Sequence, residues 1–272
     1  MTISIPTVSG APLATGVSAR LRWALADTLT ITKRNLLAYI RIPEALFFST
    51  VQPIMFVLLF RYVFGGAIHT TQASYTNYLM PGIFVQTVAF GAVSTSIGLA
   101  EDLQKGIIER FRALPMARSA VLGGRTTADL IRNVAVVIIM TGVGLLVGFR
   151  PTTGVLPYLA AIGLILLFAY ALSWGFAVIG LSAPNSETAQ IMSFPLLFPL
   201  TFASSAFVPV DQMPSWLQGF ATYQPVSVTV SACRALMLGG QTATWVIQTL
   251  LWSVGLLVVL TPLAVHRYRT RI

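Results

Sequence analysis

Six apolar runs, uncharged at their centres, alternate with shorter stretches that hold most of the charge. The runs cover roughly residues 45–64, 79–100, 130–148, 155–182, 188–208 and 243–265. About 18 or more such residues suffice for a helix to cross a bilayer. Without water to solvate the backbone, each run must satisfy its own peptide groups as a helix. Turn chemistry separates the runs at Gly65-Gly66, Arg150-Pro151, Pro184-Asn185 and Gly239-Gly240. No alternating pattern of barrel strands occurs, so the pattern predicts an all-α integral membrane bundle with six transmembrane helices. A seventh apolar stretch, Pro225–Leu238, would reach only about 21 Å as a helix, short of the roughly 30 Å hydrocarbon layer. It is expected to be re-entrant, preceded by a short interfacial helix over Pro214–Phe220 that carries Trp216. Pro53, Pro81, Pro195 and Pro199 lie inside the runs and predict kinks. Gly144-x-x-x-Gly148 predicts a close helix approach in the third.

Two amphipathic segments flank these runs. Before the first, Leu21, Leu25, Leu29, Leu36 and Ile40 fall within a stripe of about 100°. Arg20, Asp27, Arg34 and Arg41 lie opposite, Arg22 and Lys33 flank the stripe, and Trp23 and Ile31 do not fit it. The expected element is an in-plane helix at the membrane face, stopped at Pro43, that serves as an anchor or as a moving part. Between the second and third runs, Glu101–Arg118 places Leu103, Ile107, Phe111 and Leu114 at helical spacing, with Glu101, Lys105, Glu109 and Arg112 around them. One amphipathic helix ended by Pro115 is expected. Its mixed charges suit a protein contact better than a lipid surface, which calls for a mainly basic polar face. Entering the third run, Arg125, Asp129 and Arg132 share one face. They form either a charged element at the inner mouth of a pathway or a helix start still in water.

Composition agrees with the pattern. Of 272 residues, 56% are hydrophobic and only 9% charged, against about a quarter charged in soluble domains. Fourteen of the seventeen Lys and Arg residues fall before the first run, between the second run and the entry of the third (Arg132 included), or after the sixth; Arg61, at the end of the first run, Arg150 and Arg234 fall on the other side. The positive-inside bias therefore places the N- and C-termini in the cytoplasm. A seventh crossing would put the arginines of the tail outside. The same bias accounts for the +9 net charge without nucleic acid. Residues 1–18 contain neither a basic start nor an apolar core, so a disordered cytoplasmic tail rather than a signal peptide is expected, followed by one transmembrane domain over 19–272. The single cysteine, Cys233, excludes an internal disulfide or a multi-cysteine metal site, and His69 and His266 are isolated. No G-x-x-x-x-G-K-S/T loop, H-E-x-x-H or G-x-S-x-G occurs, and no catalytic set assembles, so the chain is not expected to be an enzyme or to bind ATP through a P-loop. The span centres lack ionisable residues, which disfavours an ion-coupled carrier unless backbone groups hold the ion.

Two stretches resemble the permease subunits of ATP-binding-cassette exporters of the type-2 class. In the first, Glu101, Gly106, Glu109-Arg110 and Leu114-Pro115 match that family's cytoplasmic pattern. In the second, Phe194–Gly240, Pro209, Met213, Pro214, Trp216, Pro225 and Arg234 match its external turn and re-entrant region. The likeness extends through the six-span plan and is nearest to the daunorubicin/doxorubicin-resistance permeases of actinobacteria. Where that family often has Asn-Pro, this chain has Gln224-Pro225.

The resemblance implies a subunit of an ATP-driven exporter in the bacterial plasma membrane. Its partners would be two ATPase subunits, carrying ATP and Mg, and a second permease chain, identical or homologous; this chain itself would carry no cofactor. Glu101, Leu103, Lys105, Gly106, Ile107, Glu109, Arg110, Phe111, Leu114 and Pro115 would form a coupling helix. Its apolar residues would dock on the ATPase, and Glu109 and Arg110 would help orient it. The implied cargo is a lipophilic drug, lipid or lipid-linked compound. An ion-coupled carrier and a non-transporting assembly factor are the rival readings.

Overall fold

A computed structural model describes residues 17–41, 43–66, 68, 74–112 and 118–270. Of the described residues 87% are helical and none is in a strand. Helix α1 covers Val17–Arg41 and α2 Pro43–Leu58, continued by a π-helical segment over Leu59–Phe64. Then come α3 (Tyr75–Gln104), α4 (Ile107–Arg112), α5 (Arg118–Val147), α6 (Val155–Ser182) and α7 (Ser186–Phe202). A 3₁₀ turn at Val210–Gln212 leads to α8 (Ser215–Tyr223), α9 (Pro225–Leu238) and α10 (Ala243–Thr270). Four of these, α3, α5, α6 and α10, are long and apolar enough to cross a bilayer. The disordered tail expected over residues 1–18 falls almost entirely outside the described residues, with α1 already helical from Val17.

The bundle is organised around α3, which packs on α6, α7, α5 and α9. Its most apolar window is 78% buried and that of α10 only 11%, yet α10 is the more apolar, with mean hydropathy 2.0 against 1.6. This inverts the rule for soluble bundles. Lipid is as apolar as leucine, so the outer helix carries Leu250, Leu251, Val258 and Val259 outward, while the central one uses small and polar residues to pack closely.

Those close contacts lie elsewhere than the Gly144/Gly148 pair predicts. Gly180 of α6 rests against α3 so tightly that a Cβ there would sit 2.3 Å from the Ser96 carbonyl oxygen. Gly124 of α5 receives Ile31 of α1, whose Cβ would be 2.6 Å away. Gly144 faces the end of the Met80 side chain and Phe149 rather than a neighbouring backbone, and Gly148, at φ +98°, lies just past the end of α5.

Several boundaries depart from the apolar pattern. The third run becomes a helix twelve residues longer at its N-terminus, where Asp129 and Arg132 are buried and Arg125 is largely so, within the bundle rather than solvated. The fifth run, expected to 208, stops being helical at Phe202. Pro43 opens α2 at its first position, where a missing N–H is tolerated, as well as following the end of α1.

Basic residues of the two sets lie at opposite ends of α3. At its N-terminal end the Arg150 N–H donates to Asn77 Oδ1 at 3.0 Å, Arg61 lines a small recess with Tyr75 and Thr76, and Arg234 reaches Tyr78. At its C-terminal end Arg34 pairs with Asp102 and Arg125 with the Ser94 carbonyl. Tyr78 and Asp102 are about 36 Å apart along a helix rising 1.5 Å per residue, enough to separate two aqueous faces.

Candidate functional site

Helices α3 and α5 run antiparallel and interlock through arginines and glycines seven residues apart. Gly98 leaves the space that the Arg125 guanidinium occupies, where a Cβ would lie 1.9 Å from Nη2. One heptad earlier, Gly91 does the same for Arg132 and Asn133, with would-be contacts of 3.0 and 2.7 Å. Arg125 Nη2 donates to the Ser94 carbonyl at 2.9 Å, and Arg132 donates to Ser94 Oγ at 2.8 Å and to the Gly91 carbonyl at 2.6 Å. Asp129 lies between them, fully buried. It accepts from the Tyr39 hydroxyl of α1 and, at 2.5 Å, from Thr95 Oγ1 of α3, and its Oδ2 is 3.7 Å from Arg125 Nε. Burial first, and the neighbouring Asp129 second, push the Tyr39 phenol up to about 12, so it stays protonated and remains a donor. Both guanidinium groups also face the Tyr39 ring. Of the two readings of these charges, a helix start in water does not fit this burial.

The helix before α2 behaves differently from its stripe. Leu25 and Leu29 are 63% and 67% exposed, Leu36 is half-buried and Arg41 exposed, while Ile31, Thr32 and Asn35 form the buried face against α5. The packing face is about a quarter turn from the apolar stripe, as helical spacing of 100° per residue requires. Ile31, which did not fit the stripe, is the packing residue; the stripe itself is left for lipid. The side chains of Arg20 and Leu21 lie outside the described residues.

Glu101–Arg118 is not one helix. Lys105 N–H bonds back to Glu101 and Gly106 N–H to Leu103, Gly106 turns at φ +64°, and α4 starts afresh at Ile107. Leu103 and Phe111 are half-buried against a cluster of Leu99, Ile108, Leu122 and Trp174, and Ile107 is also half-buried. Ile108, absent from the predicted stripe, is fully buried. What faces outward is Glu101, Gln104, Lys105, Glu109 and Arg110. The Glu101–Lys105 pair forms at 2.5 Å, and this bond holds the Lys105 ammonium above its ordinary range. Leu114 and Pro115 lie outside the described residues. Arg34 ties this segment to α1: it pairs with Asp102 at 2.7 Å and stands 5.0 Å over the Phe111 ring. The left-handed turn at Gly106 yields a first prediction. Gly106→Val should destabilise the fold by about 1–2 kcal/mol, through φ rather than crowding, since the nearest atom to a Cβ is 3.6 Å away. Thermal unfolding would check it, and an unchanged midpoint would count against the turn.

At the far end, α9 carries Arg234 inward. Its Nε donates to the Tyr78 carbonyl at 2.9 Å and Nη2 to those of Ser205 and Ala206 at 2.6 and 3.1 Å, over the face of the Tyr78 ring. Gln224 caps α9 by accepting from Val226 N–H and donates to the Leu200 carbonyl at 2.9 Å. Pro225 is the first residue of α9. Pro209, Met213 and Pro214 flank the 3₁₀ turn and α8, and Trp216 is 79% exposed on α8, as an interfacial side chain would be.

A cavity of about 430 Å³ opens between α2, α3, α5 and α7. Phe56, Phe90, Phe194 and Phe198 form apolar walls, and Gln86, Arg132 and Asn133 a polar patch. From it a ladder of rings leads away through Phe198, Phe202, Phe207, Phe60 and Phe64, with neighbouring centroids 4.4 to 5.5 Å apart. The sequence pattern missed the cavity and also Tyr39, Thr95 and Asp102; the one trace was the polar Ser94-Thr95-Ser96 triplet inside an apolar run. Among the described residues no group of His, Cys, Asp and Glu could hold a metal ion.

The sequence profile of the ABC-2 type transporter family matches residues 26–238, from within α1 to the end of α9. The chain belongs to the ABC-2 type transporter family. It is 34% identical over 249 residues to the daunorubicin resistance ABC transporter permease protein DrrB1 of Streptomyces coeruleorubidus, covering 91% of this chain and 88% of that one. It is 28% identical over 247 residues to the probable doxorubicin resistance ABC transporter permease protein DrrC of Mycobacterium tuberculosis, covering 90% and 89%. A putative transport permease, ycf38, of Cyanophora paradoxa is 26% identical over 220 residues, with 78% and 74% covered. The chain is therefore a multi-pass membrane permease of an ABC transporter, a class that works with ABC ATPase subunits.

Proposed function

We propose that this chain is the permease of an ATP-driven exporter in a bacterial plasma membrane, moving a lipophilic drug, lipid or lipid-linked compound outward. Two permease chains, identical or homologous, would assemble with two ATPase subunits that carry the ATP and Mg. The observation that carries the reading is the separation of basic residues to the two ends of α3 in a chain of this family. It supports six crossings, with the termini, α1 and α4 on the cytoplasmic side and α8 and α9 dipping in from outside. The names of the relatives support a drug as cargo.

In this reading the ATPase meets the outward face of Glu101, Lys105, Glu109 and Arg110, because Leu103 and Phe111 are already engaged within the chain. Closure of the ATPase dimer would press on α4. The Arg34–Asp102 pair and the Phe111 contact would pass that displacement to α1, and the α3–α5 interlock would pass it to the cavity.

The test is reconstitution with the cognate ATPase and a charge reversal, Glu109→Arg with Arg110→Glu. Both side chains are exposed, so unfolding should be unchanged while ATP-driven export falls by about tenfold or more. Export that follows an ion gradient without ATP, or a permease that never co-purifies with an ATPase, overturns the proposal.

A further inference from the structure

The cavity between α2, α3, α5 and α7 carries a charge that nothing nearby balances. Arg125, Asp129 and Arg132 together hold two cations and one anion, and the anion is closest to Arg125. Among the described residues Arg132 has no carboxylate within 4.0 Å, although only 7% of it is exposed. Its two terminal nitrogens are engaged by Ser94 and Gly91, but its buried Nε has no hydrogen-bond partner. Beside it, Asn133 Nδ2 and Gln86 Oε1 are also buried and unpartnered, each residue being 2% exposed. These two donors and one acceptor belong to three residues that line the same cavity. Buried polar atoms are nearly always paired, so three orphans beside one cavity mark where a ligand's polar group belongs. The opposite wall is apolar and aromatic, from Phe56, Phe90, Phe194 and Phe198.

We propose that this cavity selects an amphiphile with an anionic oxygen head, a carboxylate or phosphate, and an apolar or aromatic body. Arg132 and Asn133 receive the head with Gln86 accepting its hydroxyl or a bridging proton, and organic cations are disfavoured. The inference rests on the proposed export function, takes the cavity as the cargo site and names its chemistry. The head could belong to an anionic lipid or to an exported amphiphilic acid; both present the same group.

Three pyrene probes alike but for the head, 1-pyrenebutyrate, 1-pyrenebutanol and 1-pyrenebutylamine, test the selection. They are titrated at neutral pH into the permease–ATPase complex in phosphatidylcholine nanodiscs, against empty discs, and followed by anisotropy. The butyrate should bind about tenfold or more tightly than the amine, the worth of one hydrogen bond to a charged group. Arg132→Gln should bring the two within about twofold, while Arg132→Lys keeps the charge and the preference. Gln86→Leu should weaken the butyrate alone, and Phe198→Ala all three probes alike. Unfolding midpoints identify any variant that fails to fold, and Arg132→Lys and Gln86→Leu then carry the test. Displacement of the butyrate by added phosphatidylglycerol identifies a lipid as the source of the head, and absence of displacement an exported acid. Equal affinity for amine and butyrate, or a preference untouched by Arg132→Gln, overturns the assignment. ATP-driven export is measured on the same preparations: if it persists while the preference is absent, only the head-group assignment falls.

Discussion

Arg234→Ala should unfold the permease at markedly lower temperature, with a loss of about 3–5 kcal/mol. The reason lies in where α7 ends. Past Phe202 the chain leaves the helix, and the carbonyls of Leu200, Ser205, Ala206 and Phe207 lose helical partners. In a membrane no water replaces them, so side chains must. Gln224 takes Leu200, Tyr78 and Arg234 take Ser205, Arg234 takes Ala206 and Tyr75 takes Phe207. Arginine suits the task because its rigid fork addresses three carbonyls at once while the Tyr78 ring shields its charge. Alanine removes the donor to the Ala206 carbonyl and one of the two to that of Ser205, and Arg234→Lys, a point donor, should recover about half of the loss. The measurement is thermal unfolding in detergent, together with protease access to residues 203–214. A midpoint for Arg234→Ala within a degree or so of the parent would refute the clamp.

Asp129→Leu should be comparably damaging, by about 3–5 kcal/mol, because it leaves the largely buried Arg125 without its anion. It also strands the Tyr39 and Thr95 hydroxyls, which join α1 and α3 to α5. A buried pair replaced whole by apolar side chains is often neutral. Hence Arg125→Met with Asp129→Leu should recover most of the stability lost by Asp129→Leu alone. ATP-driven export should stay low in that double variant, since the bond from Tyr39 to α5 remains broken. Unfolding midpoints and hydrogen exchange in α1 read the two effects separately. A double variant no more stable than the single one would remove the pairing from the account.

The outline of this molecule was legible because span length and turn chemistry are local. Residues 225–238 were delimited as a 14-residue helix, and α9 has those bounds. Lys and Arg were sorted into two sets, of which Arg61, Arg150 and Arg234 lie at the N-terminal end of α3 and Arg34 and Lys105 at its C-terminal end. The lateral packing was not legible. Hydrophobic periodicity points to the apolar face of a helix, and in a bilayer that face belongs to lipid. Leu25 and Leu29 of α1 are exposed for this reason, while Ile31, Thr32 and Asn35 make the contact. In the segment after α3, Leu103, Ile108 and Phe111 turn to a cluster within the chain, while Glu101, Lys105, Glu109 and Arg110 face outward. Glycine spacing was equally unhelpful, since the paired Gly144 and Gly148 were more conspicuous than the working pair Gly91 and Gly98.

The sequence by itself determined that the chain crosses a membrane as helices and where several of them begin and break, α2 and α9 to within two residues. Length, hydropathy and charge bias act residue by residue and need no partner. Only the tertiary structure decided that Arg125 and Arg132 enter notches at Gly98 and Gly91, that Asp129 is shared by three helices, and that Arg234 closes the break after α7. It also placed an unbalanced guanidinium on the wall of a cavity. Each depends on the register of one helix against another, which hydrophobic pattern does not encode when both lipid and protein offer an apolar surface.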